Sequence, residues 1–159
     1  NMNWTVVRPC HIYGPGSKLG CLPDHGRDDN LIQHIREGKP LELVGGGHFL
    51  QQPILAKDLA NLMLSCLGNP KTYGEIFQAA GPDIIESRKF YFIIADILGV
   101  PHPDIVELPV GEYLTENPGR ASFCCHRIYS LDKLKAAGAP VPSTSVYEGL
   151  KEHVESLLQ

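Results

Sequence analysis

Residues 4–16, WTVVRPCHIYGPG, restrict the fold more than any other stretch of the chain. A short run of β-formers at 4–7 is closed by Arg8 and Pro9, and then by Gly14-Pro15-Gly16, a turn former. The segment is therefore a strand that feeds a loop. Sixteen glycines and thirteen prolines among 159 residues extend this punctuation to the whole sequence and argue against a helical bundle. With 43% hydrophobic residues, the chain can bury one ordinary core. The expectation is one loop-rich α/β or α+β unit, and this hydrophobicity disfavours disorder.

Further along, Asp28 and Asp29 stand where they can cap a helix with apolar positions Leu31, Ile32 and Ile35, stopped by Gly38 and Pro40. Residues 41–44 read as a strand, Gly45-Gly46-Gly47 as a turn, and a brief extended run ends at Leu55. A helix follows at 56–67, with Leu59, Leu62, Met63 and Cys66 on its apolar face. Residues 75–79 read as a strand and 87–98 as a strongly apolar, buried helix that Gly99 terminates. Residues 104–108 are strand-like, and 131–137 and 146–158 read as the closing helices, the last with Val146, Leu150, Val154 and Leu157 on one face. No internal repeat is visible, and the connectors at 101–103 and 139–142 are too short to separate a second domain.

Charge and cysteine usage narrow the function classes. A formal charge of −4 gives no broad basic surface for a phosphate backbone, although a local cluster can still hold an anion, so nucleic acid is not the expected partner. No apolar run reaches the roughly 18 residues of a membrane span, and no signal-peptide pattern opens the sequence. Five cysteines, including the adjacent Cys124 and Cys125, form no spaced disulfide framework, which fits a soluble protein of the reducing cytoplasm. Cys124, Cys125 and His126 lack the spacing to wrap a zinc ion, so no metal is expected. Hydrolase signatures are absent as well.

Four stretches together resemble the NAD(P)-dependent epimerase/dehydratases of the extended short-chain dehydrogenase/reductase superfamily. The opening strand and its Tyr13-Gly14-Pro15 loop resemble that family's sixth strand and the loop after it. GGGHFLQQPILAKDLANLML resembles the family's Gly-rich turn, extended run and helix, with Lys57-Asp58-Leu59-Ala60 in place of Asp-Asp-Val-Ala. EIFQAAG resembles the last strand of the large sheet, and SLDKLKAAGAPVP the closing signature. These motifs keep the family's order and cover nearly the whole chain. The resemblance implies an α/β fold: the C-terminal portion of a Rossmann-type extended reductase, with an incomplete parallel sheet and a small α/β substrate-binding region. Residues 1–159 are then a single fragment, without the dinucleotide-binding portion.

Hydride transfer in such enzymes needs a Gly-rich phosphate turn at a helix N-terminus and a Tyr/Lys pair one helical turn apart, whose lysine lowers the tyrosine pKa. Gly14-Pro15-Gly16 with Gly20 imitates the first, but Pro15 fits an ordinary turn better. Tyr129/Lys133 and Tyr147/Lys151 imitate the second. Tyr129 lies before a helix start with Ser130 as its cap, and the other pair sits in the last helix with one member packing and the other solvated. No catalytic residue is assigned, and the fragment itself is expected to be inactive.

By resemblance, Pro9 and Cys10 border the nicotinamide ring, where Cys10 either leaves backbone groups to orient the carboxamide or simply packs. His11 falls where many sugar-nucleotide enzymes carry a substrate-contacting asparagine, and imidazole can donate a similar hydrogen bond; a structural histidine is the alternative. Asn30 and Leu31 match the start of a helix beside the substrate's nucleotide, set against simple capping. Gln51 replaces an arginine that grips a diphosphate, and a second such arginine aligns with Asn117, leaving Arg120 three residues displaced to compensate. Asp58 reads as a helix cap or structural acid.

The expected function is the substrate-binding part of an NAD(P)-dependent epimerase/dehydratase that acts on a sugar, a nucleotide-sugar or a related carbonyl or hydroxyl substrate. The parent enzyme would use NAD or NADP, and the fragment alone would bind neither tightly. A noncatalytic reductase-like module for protein or RNA interaction is the alternative. An exposed edge at residues 5–7 would favour a homodimer.

Overall fold

A computed structural model describes residues 2–21 and 27–159. Its strands are β1 Thr5–Pro9, β2 Ile12–Tyr13, β3 Leu41–Val44, β4 Leu50–Gln51, β5 Ile54–Leu55, β6 Glu75–Ala79, β7 Ile85–Glu86 and β8 Ile105–Leu108. The helices are α1 Leu31–Arg36, α2 Ala56–Cys66, α3 Ser87–Leu98, α4 Val110–Glu116, α5 Asp132–Ala136 and α6 Val146–Leu157. Parallel ladders join β1 to β6, β2 to β5 and β3 to β8, while β4 runs antiparallel to β7. Strands β2 and β7 have two residues each, too short for a period to register, and α4 begins after Pro109 without a cap that the sequence advertises.

Two apolar clusters hold these ladders. α3 carries Phe90, Tyr91 and Ile94 wholly into the first, against Leu31 and Ile35 of α1 and Val146, Leu150 and Val154 of α6. The helix stops because Gly99 takes a left-handed φ of 69°, which costs a residue without Cβ little. α6 starts with a capping box: the Ser145 side chain accepts from Glu148 N–H and the Glu148 side chain accepts from Ser145 N–H. Leu157, aligned with the buried face of α6 by spacing, is half exposed at its frayed end.

The second cluster packs Leu59 and Leu62 of α2 on Phe77 and Ala79 of β6, with Leu134 of α5 beside them. Met63 leaves this apolar face and is 54% exposed, since α2 turns it toward the rim of β1 rather than into the core. Asp58, in the first turn of α2, accepts from the N–H groups of Ser143 and Thr144 at 3.1 and 2.9 Å and from the Thr144 hydroxyl. It is a structural acid that clips α2 to the segment entering α6.

Among the described residues, β1 has a partner on one side only, and Val6 and Ile76 are both exposed on one face of the β1/β6 ladder. No described helix is long and apolar enough to cross a membrane.

Candidate functional site

β1 and β6 end side by side, and the crevice outside their carboxyl ends is where open α/β sheets place ligands. Chain geometry there follows from two backbone bonds: Cys10 N–H donates to Ala79 C=O at 3.0 Å, and His11 C=O accepts from Ile54 N–H at 2.9 Å. Together they hold Cys10 and His11 between the β1/β6 and β2/β5 ladders. The Cys10 thiol donates to Gln52 C=O. Gln52 then spans the crevice, its Nε2 donating to Gly81 C=O at 2.9 Å and its Oε1 accepting from Tyr129 N–H at 2.8 Å. Gly81 has no room for a side chain, because a Cβ would run into Pro53 C=O.

Electrostatics make this floor neutral. Burial raises the Cys10 thiol to about 11, so it is no ready thiolate. His11 is 8% exposed and sits edge-on to Phe90 at 5.7 Å. Burial, followed by the charge of Arg27, lowers its pKa to about 4, and its Nε2 has no partner. At neutral pH the ring is therefore an uncharged imidazole with one unused nitrogen, suited to a hydrogen bond rather than to holding a charge.

Sequence-based candidates distribute unevenly around this crevice. Pro9 ends β1 and Cys10 and His11 follow it, and Gln51 lies on β4 immediately before the bridging Gln52. Gln51 itself is 1% exposed, with its Nε2 unpartnered, so it packs inside. Asn30 precedes α1, whose first turn receives no side-chain cap bond; the Asn30 N–H donates to Asp28 Oδ1 at 2.8 Å in a turn before the helix, so the expected aspartate cap is not made. Asn30 also borders a cleft of about 270 Å³ with Lys18, Gln33 and Arg36. Leu31 is fully buried against α3 and packs. Asn117 closes α4 by donating from Nδ2 to Tyr113 C=O, and Arg120 is exposed in the 3-10 turn Pro118–Phe123 with its guanidinium 5.7 Å from the Phe123 ring.

Both Tyr/Lys imitations have other duties. Lys133 pairs with Glu75 at 2.7 Å and sits 5.3 Å over Phe77, while the backbone of Tyr129 holds Gln52. Tyr147 is 49% exposed rather than packed, and Lys151 faces Glu155. The Gly14 turn is closed by Ser17, whose N–H and hydroxyl both donate to Gly14 C=O. Among the described residues no group of three or more His, Cys, Asp or Glu is placed to hold a metal. Gln52 and Arg127 were not singled out from the sequence. β4 ends at Gln51, and Gln52 just beyond it finds partners on Gly81 and Tyr129, which local sequence does not reveal.

Comparison with known proteins places this geometry. The model of the NAD dependent epimerase/dehydratase family matches residues 1–80. The chloroplast stem-loop binding protein of 41 kDa b from Arabidopsis thaliana is 28% identical over 152 residues, which are 95% of this chain and 39% of that protein. UDP-glucose 4-epimerase of Thermotoga maritima, solved with UDP-glucose, superposes with a TM-score of 0.72 at 19% identity, over 99% of this chain and 46% of its own. UDP-glucuronic acid 4-epimerase of Bacillus cereus, solved with UDP-glucuronic acid and NAD, does so at 0.71 and 18%, over 98% and 45%. The chain thus spans less than half the length of each of these relatives, and its mixed α/β arrangement with parallel ladders is that of Rossmann-type epimerases.

Proposed function

The chain belongs to the NAD dependent epimerase/dehydratase family, and from that premise we propose that it forms the substrate-binding side of an enzyme acting on a sugar or a related hydroxyl or carbonyl compound. A separate dinucleotide-binding portion would hold the cofactor, which supplies reversible hydride transfer when bound. NAD in the Bacillus cereus structure favours NAD as that cofactor. Pro9 fits the edge of such a site, because it is exposed and its peptide carbonyl lies on the unpaired side of β1. Cys10, neutral and tied to Gln52, keeps charge away from the ring position. His11 Nε2 is buried and unpartnered, so it would serve a substrate hydroxyl only after its cover of side chains opens. This chain alone holds neither NAD nor NADP tightly.

The single observation that carries the choice of substrate is Gln51. By the resemblance, its neutral, buried amide stands in place of a diphosphate-gripping arginine, so a less charged sugar fits better than a nucleoside diphosphate sugar. Calorimetric titration of the chain with UDP-glucose tests this. No saturable heat is expected, and micromolar binding would overturn it.

A second reading, a noncatalytic module that binds RNA, is favoured by one specific observation. The Arabidopsis relative, aligned over nearly all of this chain, is named for stem-loop binding.

A further inference from the structure

We propose that residues 14–21 form a strap that shuts the His11 imidazole off from solvent, and that His153 of α6 is the positioning residue that latches it. The inference deepens the reading that His11 meets a substrate hydroxyl, and its functional meaning rests on that reading. Residues 14–21 belong to no helix or strand, so no ladder holds them. Their place is fixed by single contacts from elsewhere. His153 Nε2 donates to Ser17 C=O at 2.7 Å across 136 residues of chain, and Asp28 N–H donates to Leu19 C=O at 3.0 Å. At the far end Cys21 N–H donates to the Tyr91 hydroxyl at 2.9 Å, and that hydroxyl donates to Cys21 C=O at 3.1 Å. Between these points the Gly20 backbone hydrogen-bonds the His11 ring. Leu19 and Cys21 on either side are buried in the cluster that holds Phe90, the ring edge-on to His11.

The latch is one bond deep. A carbonyl only accepts, so the bond to Ser17 fixes the proton of His153 on Nε2 and leaves Nδ1 as a lone pair. That nitrogen is buried without a partner, as are His11 Nε2 and the Tyr13 hydroxyl. These three atoms border one region. Tyr13 and His11 flank Phe90 at 5.9 and 5.7 Å, and the Tyr13 phenol reaches α6 at Gly149, one helical turn before His153. The charge of Arg27, whose Nη2 donates to Ile12 C=O at 3.2 Å, reaches both imidazoles. Buried polar groups are ordinarily satisfied, so a concentration of unsatisfied ones beside a strap marks a place that gains bonds when the strap lifts and a hydroxyl enters. α6 is anchored by its capping box and by Val146, Leu150 and Val154 in the core, so the strap rather than the helix is the part that moves.

The test is site-resolved chemical labelling of the native 159-residue chain, read by mass spectrometry. N-ethylmaleimide reports the buried Cys21 thiol and diethyl pyrocarbonate the His11 imidazole, while Cys66, buried on α2, reports opening elsewhere. His153→Leu keeps an apolar body and removes the donor. It is expected to raise labelling of Cys21 and His11 together by roughly fivefold, the worth of one hydrogen bond, with Cys66 keeping its rate. His153→Gln, which can donate to Ser17 C=O again, returns both rates toward those of the unaltered chain. A packing role alone would give no such rescue. In the unaltered chain, urea below the unfolding transition should leave the Cys21 and His11 rates nearly flat, because a local opening exposes little surface, while Cys66 quickens. That measurement decides the matter if His153→Leu fails to fold, and a common urea dependence of all three sites overturns the strap. So do equal rises at Cys21 and Cys66, or a rise at Cys21 with His11 still protected. Unchanged rates in His153→Leu, or His153→Gln labelling like His153→Leu, overturn the latch. None of these readouts uses a substrate, so UDP-glucose binding would remove the substrate assignment and leave the latch standing.

Discussion

His11 concentrates the physics of the crevice in one side chain. Its folded pKa of about 4 lies below the ordinary 6.5, so the unfolded chain binds the proton more readily. The stability tied to its neutral form is whole above pH 6.5 and is lost as the pH falls toward 4. Urea denaturation should therefore show the native chain losing about 2 kcal/mol more than His11→Asn between pH 7 and pH 5. His153, whose pKa is also lowered by burial, titrates in both proteins and drops out of the comparison. Equal losses would show that His11 is solvated. Residues of this kind were only half legible: the resemblance drew attention to His11, but its burial involves Phe90, which enters the core from a helix far along the chain. Gln51 and Leu31 drew attention by position and are packed, whereas Gln52 bridges the crevice through partners 29 and 77 residues away.

At the scale of elements, long periodic segments were readable and short ones were not. α3 occupies the stretch that its apolar run and Gly99 delimit, and β3 and β6 lie where the sequence places them. β2, β7 and α4 escaped because two-residue ladders and an uncapped helix are specified by what they pack against. Gly149 shows how closely one element fits another. It lies inside α6 against the ring of Tyr13, and a Cβ there would collide with the phenol hydroxyl. Gly111, in α4, would meet nothing within 4 Å. Thermal or urea unfolding should find Gly149→Ala destabilising by about 1–3 kcal/mol through overpacking. Gly111→Ala should be neutral or stabilising by about 0.5–1 kcal/mol. The same substitution then changes sign between two helices, and matching signs would place Tyr13 away from α6.

For the whole molecule, the side of β1 left unpaired among the described residues is expected to govern any pairing of copies. Trp4 C=O accepts from Gly74 N–H and Cys10 N–H donates to Ala79 C=O, so the even-numbered residues turn their peptide groups toward β6. Alternation leaves those of Thr5 and Val7 pointing outward. Antiparallel pairing of two such edges about Val6 sets Thr5 opposite Val7 and Trp4 opposite Arg8, an aromatic against a cation. Sedimentation at increasing concentration should show a dimer that Val7→Pro, which removes an outward N–H, returns to monomer. Monomer at all concentrations would refute this pairing. The parallel ladders also order events in time. Thr5 reaches Thr72 across 67 residues of chain, and β3 pairs with β8 across a stretch that contains α2 and α3. Loop closure must precede the reward of each ladder, so refolding is slow for a chain of this size, and a ribosome releases β1 long before its partner exists.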